Sequence, residues 1–187
     1  SCVTPYHAQV AQGILWVYPV SKMVCGDDVD ALPPLPLIPE LDDPECVCQD
    51  IHRDLPMDYG TLLENVMDVS HVPFTHHNSV GKRENATPVV LEMVGDGLKP
   101  GGFEGIWREG EFILILVRAI ILTSCFVSQI GPRNGKYGSQ YTEFKAPSLM
   151  RHKLETDQFT TLTVVYAVPT TPGRCRLMAR FPFIFAA

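Results

Sequence analysis

Three features of this sequence predict an α+β fold, with one antiparallel sheet and helices laid against it. From Pro88 onward, six runs rich in β-branched and aromatic residues follow one another, most of them closed by glycine, proline or charged turns. Successive strands with short turns imply an antiparallel meander. Ahead of them, 58–71 carries apolar residues at helical spacing. The composition is ordinary for a globular protein of 187 residues, 45% hydrophobic and 19% charged, and the length suffices for a sizeable core.

In chain order, residues 1–25 include a strand-like run at 14–18, Ile-Leu-Trp-Val-Tyr. The opening Ser1-Cys2-Val3 lacks a methionine and shows no signal or transit peptide, so it reads as an internal start. Residues 26–46 are dense in proline and acid and read as an extended, solvated linker. From 47 to 187 the chain reads as one domain, with a strand at 46–53 leading into the helix.

Asp58 is a good N-cap, and Tyr59, Leu62, Leu63, Val66 and Met67 form an apolar stripe after it. On a continuous helix Glu64, Asp68 and His71 would share the opposite side. Pro73 removes a backbone donor and disfavours helix at the residue before it, so the helix should kink or stop near His71. That break matters for His76, which an unbroken helix would turn about 140° away from His71. With the chain bent, both imidazoles can face one point. Two histidines plus a carboxylate from elsewhere is the ligand set of a non-haem iron(II) facial triad, with positions left open for dioxygen. Asp68, one turn earlier, is placed to accept the free ring N–H of a ligating histidine. A helix with acids and a histidine on its polar side is otherwise simply a solvated face.

Strands are expected at 89–94, 103–108, 140–145, 148–154, 160–168 and 174–184. Residues 112–127 are apolar apart from Arg118, too short and too β-branched for a membrane span, and read as two buried strands. Asp157 reads as a solvated turn residue. The six cysteines are too scattered for a disulfide scaffold; Cys46-Val47-Cys48 is the one close pair, read as buried or free thiols. A net charge of −6 without a basic stripe argues against nucleic acid as a partner.

The spacing D-x-x-H-x-x-x-x-H from Asp68 to His76, preceded by L-L-E-N, resembles the iron-site motif of Rieske-type non-haem iron oxygenases. The flanking R-D-L-P at Arg53 and G-K-R-x-x-A-x-P at Gly81 narrow the resemblance to the pheophorbide a oxygenase and chlorophyllide a oxygenase branch, densest from Asp50 to Trp107. It implies a helix-grip catalytic domain, preceded in 1–25 by the C-terminal remnant of a Rieske β-domain. His71 and His76 would hold a mononuclear Fe(II), with the third carboxylate ligand outside the chain. Asp68 would be the electron-transfer bridge, and Asn65 and Phe74 would line the substrate pocket. A Rieske [2Fe–2S] cluster, whose C-x-H and C-x-x-H pairs do not occur in this chain, would belong to the full-length protein. The resemblance further implies dioxygen, a ferredoxin-type electron donor, a chlorophyll-derived tetrapyrrole substrate and a homotrimer. The location would be the chloroplast, membrane-associated, or a cyanobacterial equivalent. Relative to this branch, the stretch around 112–140 reads as an insertion or as translated non-coding sequence.

Two other classes stay open. One is a helix-grip module that binds an apolar ligand without catalysis. The other is a zinc hydrolase using His71, His76 and Glu64 or Asp68, although its usual H-E-x-x-H on a continuous helix is not present.

Overall fold

The computed structural model describes residues 3–79, 82–86, 88, 90–109 and 139–185. Two compact units emerge, Ser1–Pro44 and Glu45–Ala187. The expectations for 112–127 and for an insertion at 112–140 fall almost entirely outside the described residues. Among the described residues no helix is long and apolar enough to cross a membrane.

The first unit holds an antiparallel hairpin of β1 (Tyr6–Ala11) and β2 (Ile14–Ser21), followed by the short helix α1 (Lys22–Cys25). The run at 14–18 is thus a strand, and its partner β1 is an addition to the sequence reading. The stretch 26–46, expected to be a solvated linker, is exposed over 27–31, but farther along it is pinned: Ile38 is buried, and its backbone exchanges two hydrogen bonds with the Gln12 carboxamide, at 2.7 and 3.0 Å.

Among the described residues, the second unit is built on a seven-stranded antiparallel sheet. Its strands are β3 (Val47–Leu55), β4 (Val90–Met93), β5 (Gly102–Glu109), β6 (Ser139–Lys145), β7 (Leu149–Glu155), β8 (Phe159–Thr171) and β9 (Arg174–Phe185). The spatial order is β3-β9-β8-β7-β6-β5-β4. The run from β4 to β9 is therefore the meander expected from the sequence, and β3 adds itself beside the last strand. Pro172 and Gly173 make the tight β8–β9 turn, where Gly173 takes φ +70°. At Gly102 (φ +130°) a Cβ would lie 1.8 Å from the Phe144 carbonyl oxygen, so the β5–β6 approach requires glycine.

Helix α2 (Tyr59–Met67) starts at Asp58, whose carboxylate accepts from the Gly60 N–H at 2.9 Å. Its apolar stripe packs as the spacing predicts. Leu62 and Leu63 are buried with Met150, Val165, Ala167, Cys175 and Ala179 of β7, β8 and β9, and Tyr59, Val66 and Met67 pack at the margin. Helix on antiparallel sheet is the α+β arrangement, with the core between them.

The helix ends earlier than Pro73 suggests. It stops at Met67, because Asp68 is extended (φ −78°, ψ 94°) and caps a second start, accepting from the Ser70 N–H at 2.9 Å. A 3-10 turn over Val69–His71 runs into α3 (Val72–Thr75), with Pro73 in its first turn. Proline has a pre-set φ and needs no donor there, so it opens this helix rather than closing the previous one. Glu64, Asp68 and His71 consequently do not lie along one helix side.

Candidate metal centre

The double break turns both histidines the same way. His71 closes the 3-10 turn and His76 caps α3, and their ring centroids are 5.4 Å apart with a 56° tilt. Both line a cavity of about 310 Å³ between α2, α3 and the sheet. Its floor is apolar, made by Val165 of β8 and Leu177, Ala179 and Phe181 of β9; its few polar members are Asn65, Thr163 and three histidines, His71, His76 and His152. An apolar hollow with a few convergent polar groups is the usual form of a small-molecule site.

The orientation of His71 is set locally. Its Nδ1 sits against the Asp68 carbonyl oxygen, and because a carbonyl only accepts, Nδ1 carries a proton, so that the neutral ring has its lone pair on Nε2. The Asp68 carboxylate lies 3.7 Å from the same Nδ1. The hydrogen-bond acceptor expected of Asp68 is thus its backbone, with the side chain in electrostatic support. That carboxylate is held below the ordinary carboxylate range, chiefly by the Ser70 hydroxyl hydrogen bond, which outweighs the opposing effect of burial. A neutral imidazole with a tied Nδ1–H and a free Nε2 is what a metal-ligating histidine requires.

Among the described residues no third His, Cys, Asp or Glu joins the pair to complete a metal site. Two imidazoles alone fit an iron(II) centre in donor type and leave its carboxylate to be supplied by another residue. Asp157 is exposed in the turn between β7 and β8, away from the cavity lining. The other sequence candidates separate cleanly. Asn65 lines the cavity, but Phe74 is 54% exposed and is not among the lining residues, since α3 turns it outward. His77 is likewise outside the lining, and its Nδ1 accepts from the Arg83 N–H at 3.2 Å. Cys25, Cys46, Cys48 and Cys175 are not joined in disulfides, and burial, with Asp50 beside it, pushes Cys48 up to about 11, away from thiolate chemistry.

The residue missed from sequence is His152. It sits in β7, fully buried between Met150 and Leu154, and reaches the cavity. Nothing in Arg151-His152-Lys153 distinguishes it from an exposed strand histidine; only the sheet register, which pairs it with Thr142, reveals its setting.

The comparisons with known proteins follow this geometry. Residues 144–187 match the family model for pheophorbide a oxygenase, and residues 56–98 match that for the vanillate O-demethylase oxygenase C-terminal domain. The chain is 36% identical over 105 residues to the chloroplastic pheophorbide a oxygenase of Arabidopsis thaliana, covering 56% of this chain and 19% of that protein. It is 27% identical over 132 residues to the chloroplastic chlorophyllide a oxygenase of the same organism, covering 69% of this chain and 22% of the relative. The chain therefore spans about a fifth of the length of these relatives. In fold it is similar to the caffeine-bound QL mutant of NdmA from Pseudomonas putida CBB5, with a TM-score of 0.65 and 14% identity, over 95% of this chain and 44% of that one.

Proposed function

We propose, on the premise that this chain is a relative of the Rieske-type oxygenases, that it forms the substrate-facing wall and two-histidine portion of a non-haem iron oxygenase centre. The substrate class is a chlorophyll-derived tetrapyrrole. The observation that carries the reading is the convergence of His71 and His76 at the mouth of an apolar cavity, with the His71 tautomer already fixed. The relatedness to pheophorbide a and chlorophyllide a oxygenases supports the substrate class and a chloroplast setting.

In this reading His71 and His76 hold iron(II), and an aspartate outside the chain completes the set. Iron(II), when bound, supplies the activation of dioxygen. The chain's own residues do the rest. Asp68 is half exposed and ionised beside His71, which suits a bridge to a reduced [2Fe–2S] cluster carried by a neighbouring subunit of a trimer and recharged by a ferredoxin-type donor. Val72, Val165, Leu177, Ala179 and Phe181 present apolar walls that exclude water and hold a flat hydrophobic ring system, while Asn65 offers an orienting amide.

The test uses the complete protein that carries this chain. Purified without oxygen and reconstituted, it should bind one iron(II) per chain at this site and consume dioxygen when given the tetrapyrrole and a reductant. His71→Ala and His76→Ala should each weaken iron binding by more than about 100-fold, beyond the roughly 10–100-fold that loss of an outer-shell partner costs. Full iron occupancy in both variants would remove the assignment. Tetrapyrrole binding without any iron dependence would favour a non-catalytic binding module instead.

A further inference from the structure

Resting on the metal-site reading above, we propose that His152 is a positioning residue of that site, fixing the end of α2 from which Asp68 and His71 are hung. The geometry is a chain of hydrogen bonds crossing three adjacent strands and ending on the helix. Trp107 Nε1–H, from β5, can only donate, and it donates to the Thr142 hydroxyl of β6. The Val66 carbonyl oxygen can only accept, so His152 Nε2–H donates to it at 3.2 Å. In the neutral ring Nδ1 is then the acceptor, and the Thr142 hydroxyl donates to it at 2.7 Å. The tautomer of His152 thus follows from Val66, and the Thr142 hydroxyl links it to Trp107.

The recipient of the last bond matters. Val66 lies in the final turn of α2, where carbonyls have no partner further along the helix. Two residues on, Asp68 breaks the helix and its carbonyl accepts from His71. A rigid donor from the sheet to that last turn fixes the level at which the helix stops. The direction in which the His71 ring leaves the backbone depends on that level. Both ring nitrogens of His152 are engaged by protein, so although it lines the cavity it has no free nitrogen for a ligand or metal. This distinguishes it from His71 and makes it an anchor.

The experiment is cobalt(II) substitution in the complete protein, read by the affinity and the visible ligand-field spectrum, with the melting temperature measured alongside. His152→Leu removes both bonds and should weaken cobalt binding about tenfold, toward the outer-shell range, and alter the spectrum. Thr142→Val keeps the shape and the histidine but frees Nδ1, and should give a smaller loss with the same direction of spectral change. His152→Gln, which can donate to Val66 and accept from Thr142, should restore most of the affinity. A merely structural role would lower the melting temperature of the variants but leave the spectrum of the folded protein as in wild type. Wild-type affinity and spectrum in folded Thr142→Val and in whichever His152→Leu protein folds would overturn the proposal while leaving the iron site standing. Absence of cobalt binding by the wild-type protein, or its persistence in His71→Ala, would overturn the metal-site reading and this proposal with it.

Discussion

The sheet and the ligand-bearing segment of the second unit are built on opposite terms. Strands β7, β8 and β9 are tied by long antiparallel ladders and bury Met150, Val164, Ala167 and Cys175 to 0% exposure. Residues 58–76 are three short helical pieces of nine, three and four residues, and only Leu62, Leu63, Val69 and Val72 among them are buried. The histidines sit where the backbone has few tertiary constraints, and their aim comes from one apolar helix face and one polar anchor. Stability should therefore reside in the sheet and metal affinity in the segment, with His152 where the two meet.

Met150→Ala gives the largest expected separation. It removes a fully buried side chain under α2 and should cost about 3 kcal/mol of unfolding free energy in urea titration. His76→Ala, at an exposed position, should stay within about 0.5 kcal/mol of wild type while losing the metal. Equal destabilisation by the two would break the division between the regions.

Acid acts next, through the anchor. Burial lowers the pKa of His152 from 6.5 to about 4, with the Val66 hydrogen bond opposing this only in part. The unfolded chain takes up a proton near 6.5 while the folded one resists until about 4. The neutral histidine's contribution is thus fully present above pH 6.5 and declines as pH falls toward 4, by roughly 3 kcal/mol in all. Wild-type stability between pH 7 and 4 should fall more steeply than that of a folded His152→Gln variant. Parallel profiles would mean that the histidine is not buried neutral.

Asp58→Ala probes the segment's own start. Losing the bond to the Gly60 N–H should cost about 1 kcal/mol, read as a fall in urea midpoint with unchanged slope. A cost near that of Met150→Ala would show that α2 is far more cooperative with the sheet than its contacts suggest.

What the sequence discloses divides along the same line. Asp58 and the 59–67 stripe are local signals, and the β-branched runs name the six strands from β4 to β9 because each run is consistent by itself. Pro73 misleads because a proline fits just inside a helix start as well as just past an end; the D-x-S of Asp68 and Ser70, itself a cap, marks the true break. The role of Phe74 turns on the exit angle of a four-residue helix, which no periodicity encodes. His152 was invisible because its setting is created by strand register, in which Thr142 lies opposite it and the helix end comes from 86 residues away. Pairing of the first strand, β3, with the last, β9, is equally non-local.

The smallest expected effect tests how far the sheet's stability reaches its edge. Two arginines of β9 form two-pronged ion pairs with directly opposed aspartates of β3: Arg180 Nε donates to Asp50 at 2.9 Å and Arg176 Nε to Asp54 at 2.7 Å. The geometry is shared, but the settings differ. The Arg180 side chain is 11% exposed and the Arg176 side chain 53%. For Asp50, burial raises the pKa but the hydrogen bonds from Arg180 and Cys48 more than reverse it, so the net shift is downward. Such a carboxylate stabilises the fold above its unfolded pKa, and the contribution fades as pH falls through the lower folded value. Asp50→Ala should therefore cost up to about 1 kcal/mol at neutral pH, because it removes a two-pronged carboxylate from a mostly buried guanidinium, and the difference from wild type should shrink in acid. Asp54→Ala should be indistinguishable from wild type, since solvent replaces what the exposed pair supplies. Equal costs for the two would mean that β3 is held by its charges rather than by its ladder to β9, and the sheet's outer strand would then belong with the ligand segment as a region whose stability is local.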